Sequence, residues 1–220
     1  PGPIVTDACR ELNFTNEIGY GGTVRLLKNI VGLWVVQECR RTWAKAGQDL
    51  DYGQLTELAA ESPPFVSLIN PTDPRFVNPD EMPEKISAFC RETDQPVPET
   101  LGAAIRCVLE SLALLYRRTL KQIEQLTGIH IERVHIVGGG SKNALLNQFT
   151  ANALQIPVLA GPVEATAAGN ILIQAITLEH LPTLAAARDV VRQSMEVSIV
   201  HPQPAEDWMK AYERFEKWFS

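Results

Sequence analysis

The chain has 220 residues, of which 45% are hydrophobic, and its formal net charge at pH 7 is −6. This composition indicates a soluble globular protein with enough residues to bury a substantial core. The negative charge argues against binding to nucleic acid, which favours basic surfaces, and no apolar run approaches the ~18 residues that span a membrane. We therefore expect neither nucleic acid nor membrane as a partner.

Four cysteines are spread along the chain without the Cys-x-x-Cys spacing of a structural zinc site: Cys9, Cys39, Cys90 and Cys107. The histidines also lack the spacing of a zinc-binding helix, so we expect no metal ligands among these residues. Cysteines scattered in this way are typical of buried thiols in a cytosolic enzyme rather than of disulfides.

The first part of the chain predicts a strand over residues 10–16 and a turn at the glycines of 19–22. Apolar residues at helical spacing then predict one long helix over 24–45, followed by a short helix over 54–61. The segment 62–83 contains prolines at 63, 64, 71, 74, 79 and 83. Because proline lacks the N–H group that helices and strands need, this segment is predicted to be a surface loop with short strands at most.

The clearest predicted element is a helix over 99–127, which has one continuous apolar stripe and ends at Gly128. Strands and helices alternate beyond it, which predicts parallel strands joined by helical crossovers. These elements are a strand over 133–137, a helix over 142–154, a strand over 157–160 and a helix over 164–177. A helix over 183–194, a strand over 197–200 and an amphipathic C-terminal helix carrying Trp208, Tyr212, Phe215 and Phe219 follow.

The strand-like residues 134–137 stop at three glycines, Gly138, Gly139 and Gly140, and a helix follows. Glycines permit positive φ angles and close approach of a ligand, and the start of a helix attracts anions such as phosphate. The dinucleotide fingerprint would need a glycine where Asn143 stands, and the order Gly-Ser-Lys differs from that of a Walker loop. The segment predicts either a nucleotide-binding turn or a turn that serves packing only.

A second segment, residues 157–170, leads from a strand through Gly161-Pro162 into a helix that begins with small residues. The small side chains of Ala165, Ala168 and Gly169 remove bulk from one face of that helix. Such a face allows a ligand or another helix to approach closely, and ordinary helix packing is the alternative explanation.

Together these two segments resemble the FGGY family of sugar kinases, within the superfamily of actin and hexokinase. Five further runs resemble the members of that family that phosphorylate L-rhamnulose: residues 13–17, 27–37, 69–80, 90–93 and 111–116. The resemblance covers nearly the whole chain. It implies an α/β fold, namely an actin-like ATPase (ribonuclease H-like) lobe with a mixed sheet flanked by helices.

The resemblance further implies that residues 1–220 form the C-terminal nucleotide-binding lobe of a two-lobe kinase. The family's first phosphate loop, its catalytic aspartate and its second phosphate strand are then expected upstream of Pro1. We therefore expect no catalytic residue in this chain and no activity of the chain alone. The N-terminal lobe would be its partner, and its location would be the cytoplasm.

In the family pattern the middle glycine of the turn touches ATP, which falls on Gly139 here, while Gly138 and Gly140 shape the turn. The pattern also places a sugar contact on Asn29 and a nucleotide contact on Gln37. These two residues are eight positions apart, about two turns of the predicted helix, so that one helix face would line the site. The expected cofactors are ATP and Mg²⁺, and the expected substrate is a small ketose.

Some alternatives remain open. Asn29 and Gln37 could make only structural hydrogen bonds, and Asn143 could contact ribose or simply cap its helix. The chain could belong to a family member that acts on fuculose, xylulose or glycerol instead of L-rhamnulose. It could also be a non-catalytic nucleotide-binding module of the kind found in actin and heat-shock chaperones.

Overall fold

The computed structural model describes residues 2–204 and 206–219. The chain forms two compact units. Unit 1 consists of Pro1–Ile131 together with Ala211–Ser220, and unit 2 consists of Glu132–Lys210. Unit 2 is therefore an insertion in the sequence of unit 1.

Unit 1 is mainly helical. In chain order its elements are α1 (Asp7–Glu11), β1 (Thr15–Ile18), β2 (Val24–Leu27), α2 (Trp34–Lys45), α3 (Tyr52–Glu61), α4 (Met82–Glu92) and α5 (Leu101–Thr127). Strands β1 and β2 form an antiparallel hairpin in which Thr15 pairs with Leu27. The chain reverses between them at Gly21 and Gly22, whose φ angles are 67° and 74°.

Helix α5 is the central element of unit 1 and confirms the helix predicted over 99–127. The Thr100 side chain accepts a hydrogen bond from the Ala103 N–H at 3.1 Å and caps the start. Gly128, with φ 68°, ends the helix as predicted. Near its start α5 closely approaches α3, because a Cβ atom added to Gly102 would lie 2.4 Å from the Leu58 carbonyl oxygen.

The C-terminal segment completes the core of unit 1. Phe215 is fully buried, and Trp218 meets Phe89 of α4 edge-on with ring centroids 5.1 Å apart. Arg118 of α5 forms an ion pair with Glu216 at 2.6 Å. Residues that are last in the sequence therefore pack against helices formed much earlier in the chain.

The structure corrects three predictions in unit 1. Residues 24–45 are not one helix: the glycine turn pairs 24–27 with β1, and α2 begins only at Trp34. The strand predicted over 10–16 starts only at Thr15, because Asp7–Glu11 form helix α1. The Thr6 side chain caps this helix by accepting from the Cys9 N–H at 3.2 Å. Helix α4 was missed at the end of the proline-rich segment. Pro83 lies in its first turn, where a missing N–H removes no helical hydrogen bond.

Unit 2 contains the alternating elements that the sequence predicted. They are β3 (Val134–Ile136), α6 (Ala144–Leu154), β4 (Val158–Ala160), α7 (Ala165–Thr177), α8 (Leu184–Ser194) and β5 (Ser198–Val200). The sheet order is β3-β4-β5. The β3–β4 pair is parallel, as predicted, and β4–β5 is antiparallel, so the sheet is mixed. Helix α9 (Glu206–Glu216) begins in unit 2 and ends in unit 1.

The four cysteine thiols are free and buried, which confirms the prediction from their spacing. Among the helices of residues 2–204 and 206–219, none is long and apolar enough to cross a membrane.

Candidate functional site

Two turns lie side by side in unit 2, where the parallel strands β3 and β4 end. The Gly138 N–H donates a hydrogen bond to the Pro162 carbonyl at 3.1 Å, and the Gly161 N–H donates to the Ile136 carbonyl at 2.8 Å. The first bond connects the two turns, and the second connects the turn after β4 to the last residue of β3. Open α/β sheets bind ligands at the carboxyl ends of their strands. The two glycine-containing segments of the sequence therefore form one candidate site.

The three glycines after β3 differ in conformation and surroundings. Gly138 has φ 78° and ψ −166°, a region that glycine alone occupies without strain. Gly139 and Gly140 begin a single turn of 3-10 helix, Gly139–Lys142. A Cβ atom added to either of these two would meet no other atom within 4 Å. Gly138 thus sets the direction of the chain, while Gly139 and Gly140 present open backbone.

The start of α6 supports this turn through two asparagines. The Asn143 side chain accepts from the Leu146 N–H at 2.9 Å and so caps the helix. Asn147, which is buried, donates from Nδ2 to the Ser141 carbonyl at 2.8 Å, and the Ser141 hydroxyl donates to the Gly138 carbonyl at 2.7 Å. The Oδ1 atom of Asn147 is buried and finds no hydrogen-bond partner among the described residues. An acceptor thus remains unused close to the turn.

The other two predicted contact residues, Asn29 and Gln37, lie in unit 1. The structure corrects their expected arrangement, because Asn29 lies in the segment between β2 and α2, and Gln37 lies in the first turn of α2. They therefore do not share one helix. Both side chains are exposed, whereas the sequence suggested apolar surroundings. Within the described part of the chain, neither side-chain amide makes a hydrogen bond, so both are open to a ligand.

Sequence reasoning missed Asn147 and Lys28. Asn147 follows the capping Asn143 by four positions, and this spacing places both on one side of α6, so a local signal existed. The Lys28 ammonium donates to Gln122, which is 94 positions away in the sequence. Burial, followed by repulsion from Arg118, lowers the pKa of Lys28. No local sequence pattern predicts a contact between residues so far apart in the sequence.

In the ranges 2–204 and 206–219, no group of three or more His, Cys, Asp or Glu side chains is arranged to hold a metal ion.

Comparison with known proteins gives consistent matches. Residues 1–178 match the family model described as the C-terminal domain of the FGGY family of carbohydrate kinases. A rhamnulokinase of Bacteroides thetaiotaomicron is 48% identical over 213 residues, covering 97% of this chain and 43% of that protein. A rhamnulokinase of Bacillus subtilis is 42% identical, covering 91% of this chain and 41% of that protein. The chain thus spans about two fifths of the length of these relatives.

A solved structure supports the same fold. The glycerol kinase of Plasmodium falciparum, crystallised with ADP, superposes with a TM-score of 0.67 over 94% of this chain and 42% of that chain. Its sequence identity is 12%, so this likeness concerns the actin-like ATPase fold alone.

Proposed function

The chain belongs to the FGGY family of carbohydrate kinases, and we propose that within it the chain is the C-terminal, nucleotide-binding lobe of a kinase for L-rhamnulose. The reaction would transfer a phosphoryl group from ATP to L-rhamnulose and yield L-rhamnulose 1-phosphate, a step in L-rhamnose catabolism. The identity of 48% and 42% to two rhamnulokinases favours this sugar over fuculose, xylulose or glycerol.

The geometry of the glycine turn carries the nucleotide part of this proposal. A Cβ atom added to Gly139 or Gly140 would have no atom within 4 Å apart from its chain neighbours, so a ligand can approach the backbone on that side. The turn also lies at the carboxyl ends of parallel strands and at the start of α6, where phosphate groups and nucleotides bind. A nucleotide therefore fits this site, with Gly139 as its contact and with Gly138 and Gly140 shaping the turn.

The exposed amides in unit 1 carry the rest of the proposal. Asn29 would hydrogen-bond a hydroxyl of the sugar, and Gln37 would contact the nucleotide. Each amide offers both donors and an acceptor, which suits hydroxyl groups and purine edges. Bound ATP would supply the phosphoryl group. Mg²⁺ would accompany the phosphates of ATP, because proteins usually hold this ion through one or two carboxylates together with the substrate phosphates.

The residue that accepts the hydroxyl proton is proposed to lie in the N-terminal lobe, which the longer relatives contain. Phosphoryl transfer depends mainly on positioning and electrostatic stabilisation between bound groups, so half of the site should not suffice. We expect the 220-residue chain alone to be inactive and to bind ADP weakly or undetectably. Calorimetric titration that shows tight ADP binding would contradict this expectation.

We propose a cytoplasmic location, because the reaction consumes ATP and the chain keeps four buried thiols unpaired. Free thiols are typical of reducing compartments.

The decisive experiment is to measure ADP release by the complete product of the gene that encodes this chain. Mg-ATP is supplied with L-rhamnulose, L-fuculose, xylulose or glycerol, and the 220-residue chain serves as the control. Selective turnover of L-rhamnulose by the complete protein, with no ADP release by the 220-residue chain, supports the proposal. Turnover of a different sugar is consistent with the family but refutes L-rhamnulose as the substrate. ATP consumption that does not depend on added sugar refutes the sugar kinase activity.

Gly139→Val tests the nucleotide contact in the same complete protein. Since the added side chain enters open space, the fold should be unaffected, but the ligand can no longer approach the backbone. We expect the KM for ATP to rise about tenfold or more while the KM for the sugar stays within about twofold. An unchanged KM for ATP would mean that the turn is only structural.

A further inference from the structure

Lys28 brings together three distant segments of unit 1. It is the first residue after β2 and the immediate neighbour of Asn29. Its ammonium group donates to the Gln122 side-chain oxygen at 2.8 Å and lies 5.1 Å from the centre of the Phe14 ring. Gln122 and Phe14 are themselves 9% and 5% exposed. The ammonium is thus attached to a buried part of the fold.

The position of this ammonium is electrostatically unfavourable. Burial and the neighbouring Arg118 both disfavour its charged form and lower its pKa. Among the described residues, no carboxylate lies within ion-pair distance of Lys28. A neutral amide and an aromatic face hold the cation instead, and such contacts gain strength when they are partly removed from water. The positions of Gln122 and the Phe14 ring therefore determine where residue 28 can lie.

The segment that follows Lys28 is poor in backbone hydrogen bonds. Residues 28–32 take part in none of the backbone hydrogen bonds described outside the helices and strands, and the first such contact is the Leu33 carbonyl accepting from Gln37. Asn29 itself is exposed and makes no side-chain hydrogen bond among the described residues. The orientation of Asn29 therefore depends on the anchored residue directly before it.

We propose that Lys28 is a positioning residue for the sugar contact. By fixing its own backbone to α5 through Gln122 and to the residue before β1 through Phe14, it holds the Asn29 side chain where a sugar hydroxyl can be bound. This inference rests on the proposed function, in which Asn29 contacts the sugar. A displacement of about 1 Å in such a group can reduce activity by as much as 100-fold.

The test compares variants of the complete gene product. Lys28→Met keeps an unbranched apolar stem and removes the ammonium group, and Gln122→Leu removes the same hydrogen bond from its other end. We expect each to raise the KM for L-rhamnulose about tenfold while the KM for ATP stays within about twofold. Lys28→Arg, which retains the charge and the donor, should restore most of the affinity. The double variant should be no worse than either single one, since both remove one interaction.

Asn29→Ala, measured alongside, tests the sugar contact separately from the role of Lys28. If Asn29→Ala leaves the KM for the sugar unchanged, the proposed sugar contact fails, and the role of Lys28 fails with it. If Asn29→Ala raises this KM but Lys28→Met and Gln122→Leu do not, the positioning role alone is overturned. An equal rise of both KM values, or a lower melting temperature with unchanged KM values, also overturns it. Should Lys28→Met not fold, Gln122→Leu decides the question.

Discussion

Gly138 and Gly139 are adjacent, but only Gly138 needs to be glycine for the fold. In the 220-residue chain, we expect Gly138→Ala to lower the free energy of unfolding by about 1–3 kcal/mol, because alanine is strained at its backbone angles of 78° and −166°. Gly139→Ala places a methyl group in open space and should change the free energy by less than about 0.5 kcal/mol. Urea denaturation of both variants measures the difference, and equal losses would contradict this assignment.

Glu110 is a buried carboxyl group in the middle of α5. Its Oε1 accepts from Arg106 at 2.7 Å and its Oε2 accepts from the Phe65 N–H at 2.9 Å. Burial nevertheless dominates and raises the pKa of Glu110 to about 7. The folded chain therefore keeps this proton up to about pH 7, whereas the unfolded chain loses it near pH 4.5.

This raised pKa predicts a pH dependence of stability. Between about pH 4.5 and 7 the folded state binds more protons than the unfolded state, so the free energy of unfolding should fall as the pH rises. The contribution of Glu110 is on the order of 3 kcal/mol over this interval. Glu110→Gln has no such proton. The free energy of unfolding of this variant, obtained from urea denaturation at a series of pH values, should therefore lack this decrease. The same pH dependence of the free energy of unfolding in both proteins would refute the prediction.

Among the helices and strands, those specified by local patterns were predicted well. The apolar stripe and Gly128 define α5 without reference to the remainder of the chain, and the alternation in unit 2 predicts its parallel strand pair. The helix predicted over 24–45 was wrong before Trp34, because its first residues have apolar spacing that suits a helix and a strand equally. Pairing with β1, a nonlocal contact, decides between them.

The candidate site residues show the same difference. The glycine turn of unit 2 can be found from a few adjacent residues, and so can the capping role of Asn143. The exposure of Asn29 and the anchoring of Lys28 depend on where α2 begins and on a helix far along the sequence. Local periodicity contains neither piece of information, so the sequence alone placed Asn29 on the wrong element.

Helices α5 and α7 should respond oppositely to the same substitution. Gly102→Ala forces a methyl group against the α3 backbone, where a Cβ atom would lie 2.4 Å from the Leu58 carbonyl oxygen, and should cost about 1–3 kcal/mol. Gly169→Ala in α7 meets nothing within 4 Å and should stabilise the chain by about 0.5–1 kcal/mol through helix propensity. Thermal unfolding of both variants tests the pair, and a loss in both would show that α7 is also closely packed.

Across the chain, the C-terminal segment should be needed for unit 1 in particular. Phe215 is fully buried there, so Phe215→Ala should cost about 3–5 kcal/mol. We expect amide hydrogen exchange to accelerate in α5 of unit 1 and to remain slow in β3 and β4 of unit 2. Met209→Ala, at a side chain that is 52% exposed, is the matched control and should leave both patterns unchanged. Equal acceleration in both units would show that they unfold together.

The insertion of unit 2 into unit 1 has a consequence for protein synthesis. Within this chain, the ribosome synthesises Pro1–Ile131 before unit 2, and Ala211–Ser220 only after unit 2. At roughly 5–20 residues per second, unit 1 waits on the order of ten seconds for the residues that complete its core. Unit 2 is continuous in sequence and can fold during that interval, whereas the nascent helices of unit 1 expose the apolar surface that Phe215 later covers.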